Sequence, residues 1–205
     1  MSSASQAKPP NAARRSARSL KAILDASMEL VGEVGYNRLT IEAIAARAGV
    51  GKQTIYRWWP SKAAVLLDAL TAVVDDDAYA AGIPDTGDLE ADLKAVLRAT
   101  VDEFTDATFE APYRALAVAS AADAELSAQF VERLQEPGLA VYDARLRAAR
   151  RAGQVDPDLD LDLAVEMLLG PFQQRWLTRS GPLTYEFTDR LVEMCLRAFV
   201  PRSTP

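Results

Sequence analysis

Apolar residues recur at three- and four-residue steps along most of the chain, which is the spacing of one face of an α-helix. No alternating run of β-branched residues bounded by turn residues interrupts this pattern. The first series predicts a helix from about Ser19 to Val34 that ends at Gly35. Its inner face comprises Leu20, Ile23, Leu24, Ser27, Leu30, Val31 and Val34. The pattern therefore predicts an all-α protein.

Three shorter helices are expected next, and capping residues mark their ends. Thr40 is a favourable N-cap for a second helix, which Gly49 ends. A third helix is expected from about Lys52 to the residue before Pro60, because proline rarely continues a helix. Ser61 then caps a fourth helix, whose apolar positions are Val65, Leu66, Ala69, Leu70, Val73 and Val74.

A loop rich in turn residues, at 81–88, separates these helices from longer ones. A fifth helix is expected from about Asp88, and Pro112 suits the first position of the next helix, where its missing N–H has no cost. A long helical segment is expected from Asp123 to Ala152, with a kink or a break at Pro137.

Two further helices are expected before the end of the chain. The first is predicted to be disturbed at Gly170 and Pro171, and Thr184 is a good N-cap for the second. In total the pattern predicts about nine helices, each short enough for a globular bundle.

The second and third predicted helices are joined only by Gly-Val-Gly at residues 49–51, so they must cross steeply. Two short helices, a tight glycine turn and an apolar residue in the turn, here Val50, are typical of a helix-turn-helix. The second helix of that motif lies in the DNA major groove, and its N-terminal residues contact base edges. Glycine corners also occur in other helical cores.

Helical angles divide the side chains of the third helix and of the residues after it. At about 100° per residue, Ile55 and Trp59 lie on one face, and we expect both to pack in the core against Val50 and Ile44.

The other side chains of this stretch lie away from the core face. Gln53 and Arg57 lie nearly opposite to it. Tyr56 and Trp58 flank it, where a ring can be half buried while its polar atom reaches a phosphate oxygen. For Tyr56 an interface role is favoured, whereas Trp58 remains open to an interface role or a structural one.

Charge is divided unevenly along the chain. Residues 1–62 carry ten Lys or Arg and four Asp or Glu, a net charge of +6, whereas residues 63–205 carry 13 and 25, a net charge of −12. A basic N-terminal part on an acidic body is the charge pattern expected of a protein that binds a polyanion such as DNA.

Several classes of function are excluded by residues that the sequence lacks. It contains no histidine and a single cysteine, Cys195, which excludes an internal disulfide, a zinc site of cysteine and histidine, and catalytic pairs that need histidine. Carboxylates lie mostly in acidic runs, such as 75–77 and 156–162, that are typical of solvated helix ends. We therefore expect no enzyme, metal or cofactor.

The sequence also predicts where the protein resides. No apolar run approaches the roughly 20 residues that a membrane helix needs. The N-terminus has basic residues but no apolar segment typical of a signal peptide. A cytoplasmic protein is expected.

The segment from Leu39 to Leu70 resembles the DNA-binding region of the TetR (tetracycline-repressor-like) family of bacterial transcriptional regulators. Spacing and residue type agree across the second and third helices and into the fourth. The matching residues are Thr40, Ala45, Ala48, Gly49, Val50, Thr54, Ile55, Tyr56, Ser61 and Lys62. The resemblance covers the first third of the chain strongly, and the remainder only by the number and layout of helices.

The resemblance implies which residues meet DNA. Thr40, Tyr56, Trp58 and Lys62 would bind phosphates, and Lys52, Gln53 and Thr54 would face bases. Glutamine can pair with adenine and lysine can reach guanine, and each good pair gives roughly 1–3 kcal/mol of discrimination. Three residues depart from the family pattern: Gly51 where a capping Ser or Thr is frequent, Gln53 where glycine is frequent, and Trp58 where His or Tyr is common.

For the acidic body, the resemblance implies a helical domain that binds a small-molecule effector and forms a homodimer through the last two helices. A symmetric dimer suits a palindromic operator in double-stranded DNA. Candidate residues for lining the effector pocket are Phe104, Phe109, Tyr113, Tyr142, Met167, Phe172 and Trp176, although each also suits a plain core. The kinks at Pro137 and Gly170 could open space between helices or be irregular corners.

These observations predict three segments. Residues 1–18 form a disordered basic arm, residues 19–64 the helix-turn-helix domain, and residues 65–205 the effector-binding and dimerisation domain. The basic residues Arg14, Arg15, Arg18 and Lys21 either enter the minor groove or attract DNA without specificity.

The favoured function is a ligand-responsive repressor that an effector releases from its operator. One alternative is an unspecific architectural DNA-binding protein without an effector. A small-molecule enzyme with a DNA-binding head is the other, and the absence of histidine disfavours it.

Overall fold

A computed structural model describes residues 10–74 and 82–200 of the chain, with side chains from residue 16 onward. These residues contain nine helices, as the sequence predicted, if the helical run at 124–151 is taken as one. They are α1 (Pro10–Val34), α2 (Ile41–Ala48), α3 (Lys52–Tyr56), α4 (Lys62–Val74), α5 (Leu89–Thr105), α6 (Ala107–Ser120), α7 (124–151), α8 (Leu161–Thr178) and α9 (Tyr185–Phe199).

Local sequence signals set several helix ends. The Thr40 hydroxyl accepts a hydrogen bond from the Ala43 N–H at 3.1 Å, and the Thr184 hydroxyl accepts one from the Phe187 N–H at 3.2 Å. Each satisfies a donor that the first helical turn leaves without an intrahelical partner. Gly49 ends α2 with φ of 66°, a left-handed conformation that residues with a Cβ rarely adopt.

Two helix starts differ from the prediction. Helix α1 begins at Pro10 rather than Ser19, so residues 10–18 of the predicted disordered arm are helical, while residues 1–9 lie outside the described residues. Helix α6 begins at Ala107, and Pro112 lies within it rather than at its start. The Asp106 carboxylate accepts the Thr108 N–H at 2.7 Å and thereby starts this helix earlier.

Prolines inside α7 and α8 do not break either helix. Helix α7 consists of Ala124–Phe130, a π-helical segment at Val131–Gln135 and Glu136–Arg151. In the π-helical segment the Glu136 N–H donates to the Val131 carbonyl, one residue farther than in an α-helix. Pro137 follows directly and has no N–H to donate to the preceding turn. The wider turn therefore lies where the regular hydrogen-bond pattern of the helix is interrupted. Helix α8 continues through Pro171.

Apolar side chains form three clusters. One cluster joins helices α1, α2 and α3 with the start of α4 and contains Ile23, Ile44, Ile55 and Trp59. A second joins α5, the C-terminal part of α7, α8 and α9. The third lies between α4, α6 and the N-terminal part of α7.

Helix α4 belongs to both the N-terminal part and the body. Val65 and Leu66 pack in the cluster of the N-terminal helices, whereas Leu67, Leu70 and Val74 pack in the third cluster. The predicted boundary between residues 64 and 65 therefore falls inside one continuous helix. Helix α6 also packs on both α1 and α4. Packed side chains thus connect the body to the N-terminal helices at α4 and α6.

Candidate nucleic-acid interface and ligand cavity

The core face of α3 lies where the helical angles predicted it. Ile55 has no exposed surface and Trp59 is 4% exposed, and both pack in the cluster that contains Val50 and Ile44. The Trp59 indole N–H also donates to the Asp68 carboxylate at 2.6 Å. These contacts fix α3 to α1, α2 and α4 and determine which of its side chains face outward.

The outward face of α3 carries the predicted base-reading residues. Lys52 and Gln53 are exposed and Thr54 is half-buried, in the first turn of the helix. The Lys52 ammonium lies 3.7 Å from the Glu42 carboxylate, but both side chains are more than half exposed. An exposed pair of this kind contributes at most about 1 kcal/mol, so Lys52 can exchange this partner for DNA.

Tyr56 and Trp58 both lie on the surface beside this face, 53% and 51% exposed. The Arg57 guanidinium lies 5.7 Å from the centre of the Trp58 ring. Because about half of Trp58 is exposed, its position favours the interface role over the structural role, both of which the sequence left open. Arg57 adds an exposed positive charge to this surface, and it was not among the predicted site residues although its angle opposite the core face signalled its exposure.

Lys62 is less accessible than the resemblance implies. Its ammonium donates to the main-chain carbonyls of Tyr36 and Leu39, at 2.7 and 2.9 Å, and lies 4.3 Å from the centre of the Tyr36 ring. Lys62 thus ties the start of α4 to the 3₁₀ turn, Tyr36–Arg38, that precedes Thr40. An ammonium group has three N–H donors, so one remains for a phosphate oxygen.

Thr40 is exposed at the start of α2, and its hydroxyl oxygen already accepts the Ala43 N–H. The hydroxyl hydrogen is still available as a donor. Of the basic residues near the N-terminus, Lys21 pairs with Asp25 at 2.8 Å and Arg18 is exposed, both in α1. The predictions for Arg14 and Arg15 lie outside the described side chains.

A cavity of about 380 Å³ lies inside the body, between α5, α6, α7 and α8. Five of the seven predicted pocket residues line it together: Phe104, Phe109, Tyr113, Tyr142 and Phe172. This volume lies within the range of small-molecule sites. The cavity wall is mostly apolar, and it includes Val74 from the end of α4.

Trp176 borders a second cavity of about 430 Å³ on the other side of the aromatic cluster. Phe104 lies at the centre of that cluster and makes edge-to-face contacts with Phe109, Tyr113, Phe172 and Trp176, at centroid distances of 5.2–5.5 Å. Phe104 and Tyr113 line both cavities. These two rings therefore form a wall between the cavities.

Met167 does not join the other predicted pocket residues. It is 42% exposed and borders a surface depression next to Leu163 and Phe199. The cause is its position on α8, since Met167 and Phe172 are five residues apart and point about 140° away from each other. The prediction of Met167 as a residue of the effector pocket is therefore not supported by its position.

Apart from the two tyrosines, the polar residues of the main cavity were not predicted. They include Thr100, Glu103, Gln135 and Gln173. Among the described lining residues Glu103 is the single charged one. A signal was present in the sequence, because Thr100 lies four residues before Phe104 and three before Glu103, spacings that place side chains next to each other on a helix.

Two tyrosines of the cavity, Tyr113 and Tyr142, have a raised pKa. Burial raises the pKa of Tyr113, and the negative charge of Glu103 raises it further. Burial raises the pKa of Tyr142 to about 12, with the Thr100 hydrogen bond lowering it and Glu103 raising it. At neutral pH both are therefore uncharged hydroxyl groups that can donate a hydrogen bond to a ligand.

A buried ion pair holds the segment at one side of this cavity. Asp92 and Arg145 are almost fully buried, and the carboxylate accepts two guanidinium N–H bonds at 2.7 and 2.9 Å. Asp92 also accepts the hydroxyl and N–H of Thr86. Burial raises the pKa of Asp92, but the bonds from Thr86 and Arg145 outweigh it and leave the pKa lowered. Asp92 thus stays ionised and anchors the segment that contributes Gly82 and Ile83 to the cavity.

No helix in residues 10–74 and 82–200 is long and apolar enough to span a bilayer.

Two family profiles match most of the chain. The profile described as "Bacterial regulatory proteins, tetR family" matches residues 23–69, which include α2 and α3. The profile described as "Tetracyclin repressor-like, C-terminal domain" matches residues 83–195, which is more than half of the chain. Both the helix-turn-helix and the body that holds the cavity are therefore matched.

Similar proteins extend over most of the same length. The chain is 32% identical to a DNA-binding transcriptional repressor TetR of Mycobacteroides abscessus, over 87% of this chain and 92% of that protein. It is 30% identical to an uncharacterized HTH-type transcriptional regulator, YdeS, of Bacillus subtilis, over 84% and 85%. The crystal structure of the TetR family transcription regulator SCO0332 superposes with a TM-score of 0.70 at 35% identity, covering 88% of this chain and 98% of that one.

Proposed function

Because the chain belongs to the TetR family of transcriptional regulators, whose members bind DNA and small-molecule effectors and dimerise, we propose that it is a ligand-responsive repressor. As a homodimer it binds a palindromic operator, with residues 19–64 as the DNA-binding unit and residues 65–205 as the effector-binding unit. A small molecule in the body releases it. A repressor acts on the chromosome, which places it in the cytoplasm.

The observation that carries the DNA-binding part is the outward face of α3. Ile55 and Trp59 are held in the core, so Lys52, Gln53 and Thr54 project from the first turn. In this proposal they read bases, while Thr40, Tyr56, Trp58 and Lys62 bind phosphates on either side. Arg57 joins the phosphate contacts because it is exposed beside Trp58.

Selection of sequences from a random pool of duplex DNA tests this function, because the protein itself then chooses its operator. We expect a palindrome whose half-sites lie about one helical turn apart. Retention of the whole pool without enrichment at fixed salt would indicate an unspecific architectural DNA-binding protein instead.

Two variants then separate base contacts from phosphate contacts. Tyr56→Phe removes only the hydroxyl and should weaken binding to all sequences alike, by roughly 0.5–1.5 kcal/mol. Gln53→Ala should relax the preference at one base pair of each half-site. A uniform loss for both variants, measured by fluorescence anisotropy on single-base variants of the selected DNA, would contradict the assignment of Gln53.

The effector site of this proposal is the main cavity. Its aromatic and aliphatic wall favours an apolar ligand, and Thr100, Gln135, Tyr142 and Gln173 offer hydrogen bonds to it. The described lining contains a carboxylate, Glu103, and no lysine or arginine. An anionic ligand would meet a like charge in a desolvated space, whereas a cation would gain both Glu103 and the aromatic faces. The effector is therefore a neutral or cationic molecule.

A matched pair of probes tests the charge preference. In isothermal titration, 4-phenylbutylamine should bind more tightly than 4-phenylbutyrate, which has nearly the same shape and the opposite charge. Glu103→Gln should remove most of this difference and leave the affinity for neutral 4-phenylbutanol unchanged. Equal or tighter binding of the carboxylate to the wild-type protein would refute a cation-compatible site.

The dimer of this proposal forms through α8 and α9. Leu163, Met167, Gly170, Gln174 and Leu177 are all exposed on α8 and recur at steps of four and three residues. On α9, Met194 is 67% exposed, and in this proposal it joins the interface. Steps of four and three give the contact line of packed helix pairs, and two copies of α8 and α9 would form a four-helix interface.

A further inference from the structure

A chain of polar contacts joins α3, the recognition helix of the proposed function, to the wall of the cavity. Asp68, on the side of α4, uses its two carboxylate oxygens for two different parts of the molecule. Oδ2 accepts the indole N–H of Trp59 at 2.6 Å, directly after α3. Oδ1 lies 2.8 Å from the guanidinium of Arg133 in α7. A single side chain thus holds the end of the recognition helix and an element of the body.

Arg133 lies in the π-helical segment Val131–Gln135, which forms part of the cavity. The next two residues, Leu134 and Gln135, line the main cavity. Leu134 also packs in the same cluster as Leu67, Leu70 and Val74 of α4. A ligand that presses on Leu134 and Gln135 therefore acts on the residues adjacent to Arg133. π-Helical turns are uncommon and frequent at functional sites, because their extra residue per turn can be redistributed.

The contact between Arg133 and Asp68 is poorly suited to a purely stabilising role. The two side chains are 35% and 39% exposed, and exposed ion pairs contribute little to the free energy of unfolding. The contact can therefore break without loss of the fold. Its position matters more, because it determines where the acceptor of the buried Trp59 indole is held.

We propose that Asp68 and Arg133 are positioning residues that couple occupancy of the cavity to the orientation of the recognition helix, a regulatory step that rests on the function proposed above. In the empty protein, the contacts from Arg133 to Asp68 and from Asp68 to Trp59 hold α3 in the orientation that binds DNA. A ligand displaces the π-helical segment and withdraws Arg133. The Asp68 carboxylate, which accepts the Trp59 indole N–H, then moves, and Trp59 and α3 shift with it, which moves the population away from the DNA-binding state.

A substitution that fills the cavity tests the coupling without any added effector. Gly138 lines the cavity within α7, and a Cβ built there meets no atom within 4 Å. Gly138→Phe places a ring in the space of the ligand, and Gly138→Leu is a smaller version if the ring unfolds the protein. Each is combined with Arg133→Gln. The matched control is Arg147→Gln, because Arg147 lies on the same helix and pairs with Asp143 at 2.6 Å.

Two readouts are measured on the full-length protein. One is the indole N–H resonance of Trp59 in ¹H–¹⁵N spectra, assigned with Trp59→Phe. The other is the affinity for the duplex selected by the wild-type protein. Gly138→Phe should move the resonance and weaken DNA binding by about fivefold or more, in the wild-type and Arg147→Gln backgrounds alike. In the Arg133→Gln background, the same substitution should change neither readout further.

The coupling is overturned if Gly138→Phe has the same effect with and without Arg133, or if filling the cavity leaves both readouts unchanged in folded protein. The two readouts keep this failure apart from failure of the proposed function. A Trp59 resonance that responds through Arg133, in a protein that selects no DNA, supports the coupling and refutes the repressor. Selective DNA binding together with a Trp59 resonance that does not depend on Arg133 supports the repressor and refutes the coupling.

Discussion

Trp58 and Trp59 are neighbours in the sequence, but their surroundings differ completely. Trp59 is 4% exposed and donates to Asp68, whereas Trp58 is 51% exposed beside Arg57. One step along the chain turns a side chain by about 100° around the axis of α3 and of the turn that follows it. This rotation is enough to move a ring from the core to the surface. We therefore expect Trp59 to contribute to stability and Trp58 to the proposed DNA binding, separately from each other.

At this scale the expected effects of truncation are opposite. Trp59→Ala should lower the free energy of unfolding by roughly 3–5 kcal/mol, because it leaves a cavity among Ile44, Ile55 and Leu66. Trp58→Ala should change it by no more than about 0.5 kcal/mol and should weaken DNA binding instead. Urea denaturation and anisotropy measure the two effects. Equal loss of stability in both variants would contradict the division of the two rings.

At the scale of the element, the turn between α2 and α3 contains two glycines with different reasons for their presence. Gly49 has φ of 66°, and Gly51 has φ of −75° and ψ of 143°, an extended conformation that any residue adopts. Gly51 occupies the N-cap of α3 and provides no side-chain hydrogen bond there. A Cβ at either position meets no atom within 4 Å. Backbone conformation alone thus distinguishes the two sites.

The same substitution should therefore have opposite signs at these two positions. Gly51→Ser adds a capping hydroxyl and should stabilise the protein by a few tenths to about 1 kcal/mol. Gly49→Ser forces a residue with a Cβ into the left-handed conformation and should destabilise it by about 1–2 kcal/mol. Thermal melting of the pair measures this difference. Destabilisation by both substitutions would show that Gly51 is needed for close approach rather than tolerated.

At the scale of the whole molecule, helices α8 and α9 carry apolar side chains that are exposed in the single chain. Met194 at 67% exposed and Leu163 at 52% are among the most exposed apolar side chains described. Leu163 and Leu177 point away from the side of α8 that carries the cavity residue Phe172, and Met194 lies on the neighbouring helix α9. The proposed homodimer would bury these side chains.

Charged substitutions distinguish these side chains from an ordinary exposed residue. Met194→Glu combined with Leu163→Glu should halve the mass measured by light scattering, because two carboxylates per subunit would be buried without partners. The variant should also lose affinity for a palindrome while retaining its melting midpoint within a few degrees. Val118→Glu is the control, since Val118 is 59% exposed on α6 and lies outside the proposed interface. A dimer that survives the double substitution places the interface elsewhere.

The sequence by itself determined what depends on neighbours along the chain. Thr40, Gly49 and Thr184 act within one helical turn, so their caps could be predicted, and the core position of Trp59 followed from its angle to Ile55. The start of α6 was misplaced because Pro112 is tolerated inside a helix that Asp106 has already begun.

Only the tertiary structure decided what depends on distant segments. Five predicted aromatic residues meet around one cavity with Glu103, whereas Met167 faces the other side of α8. Lys62 is held by carbonyls that lie more than 20 residues before it. Asp68 takes one partner from α7 and one from the residues after α3. Periodicity gives the direction of a side chain on its own helix, but the partner on another helix follows from how all nine pack together.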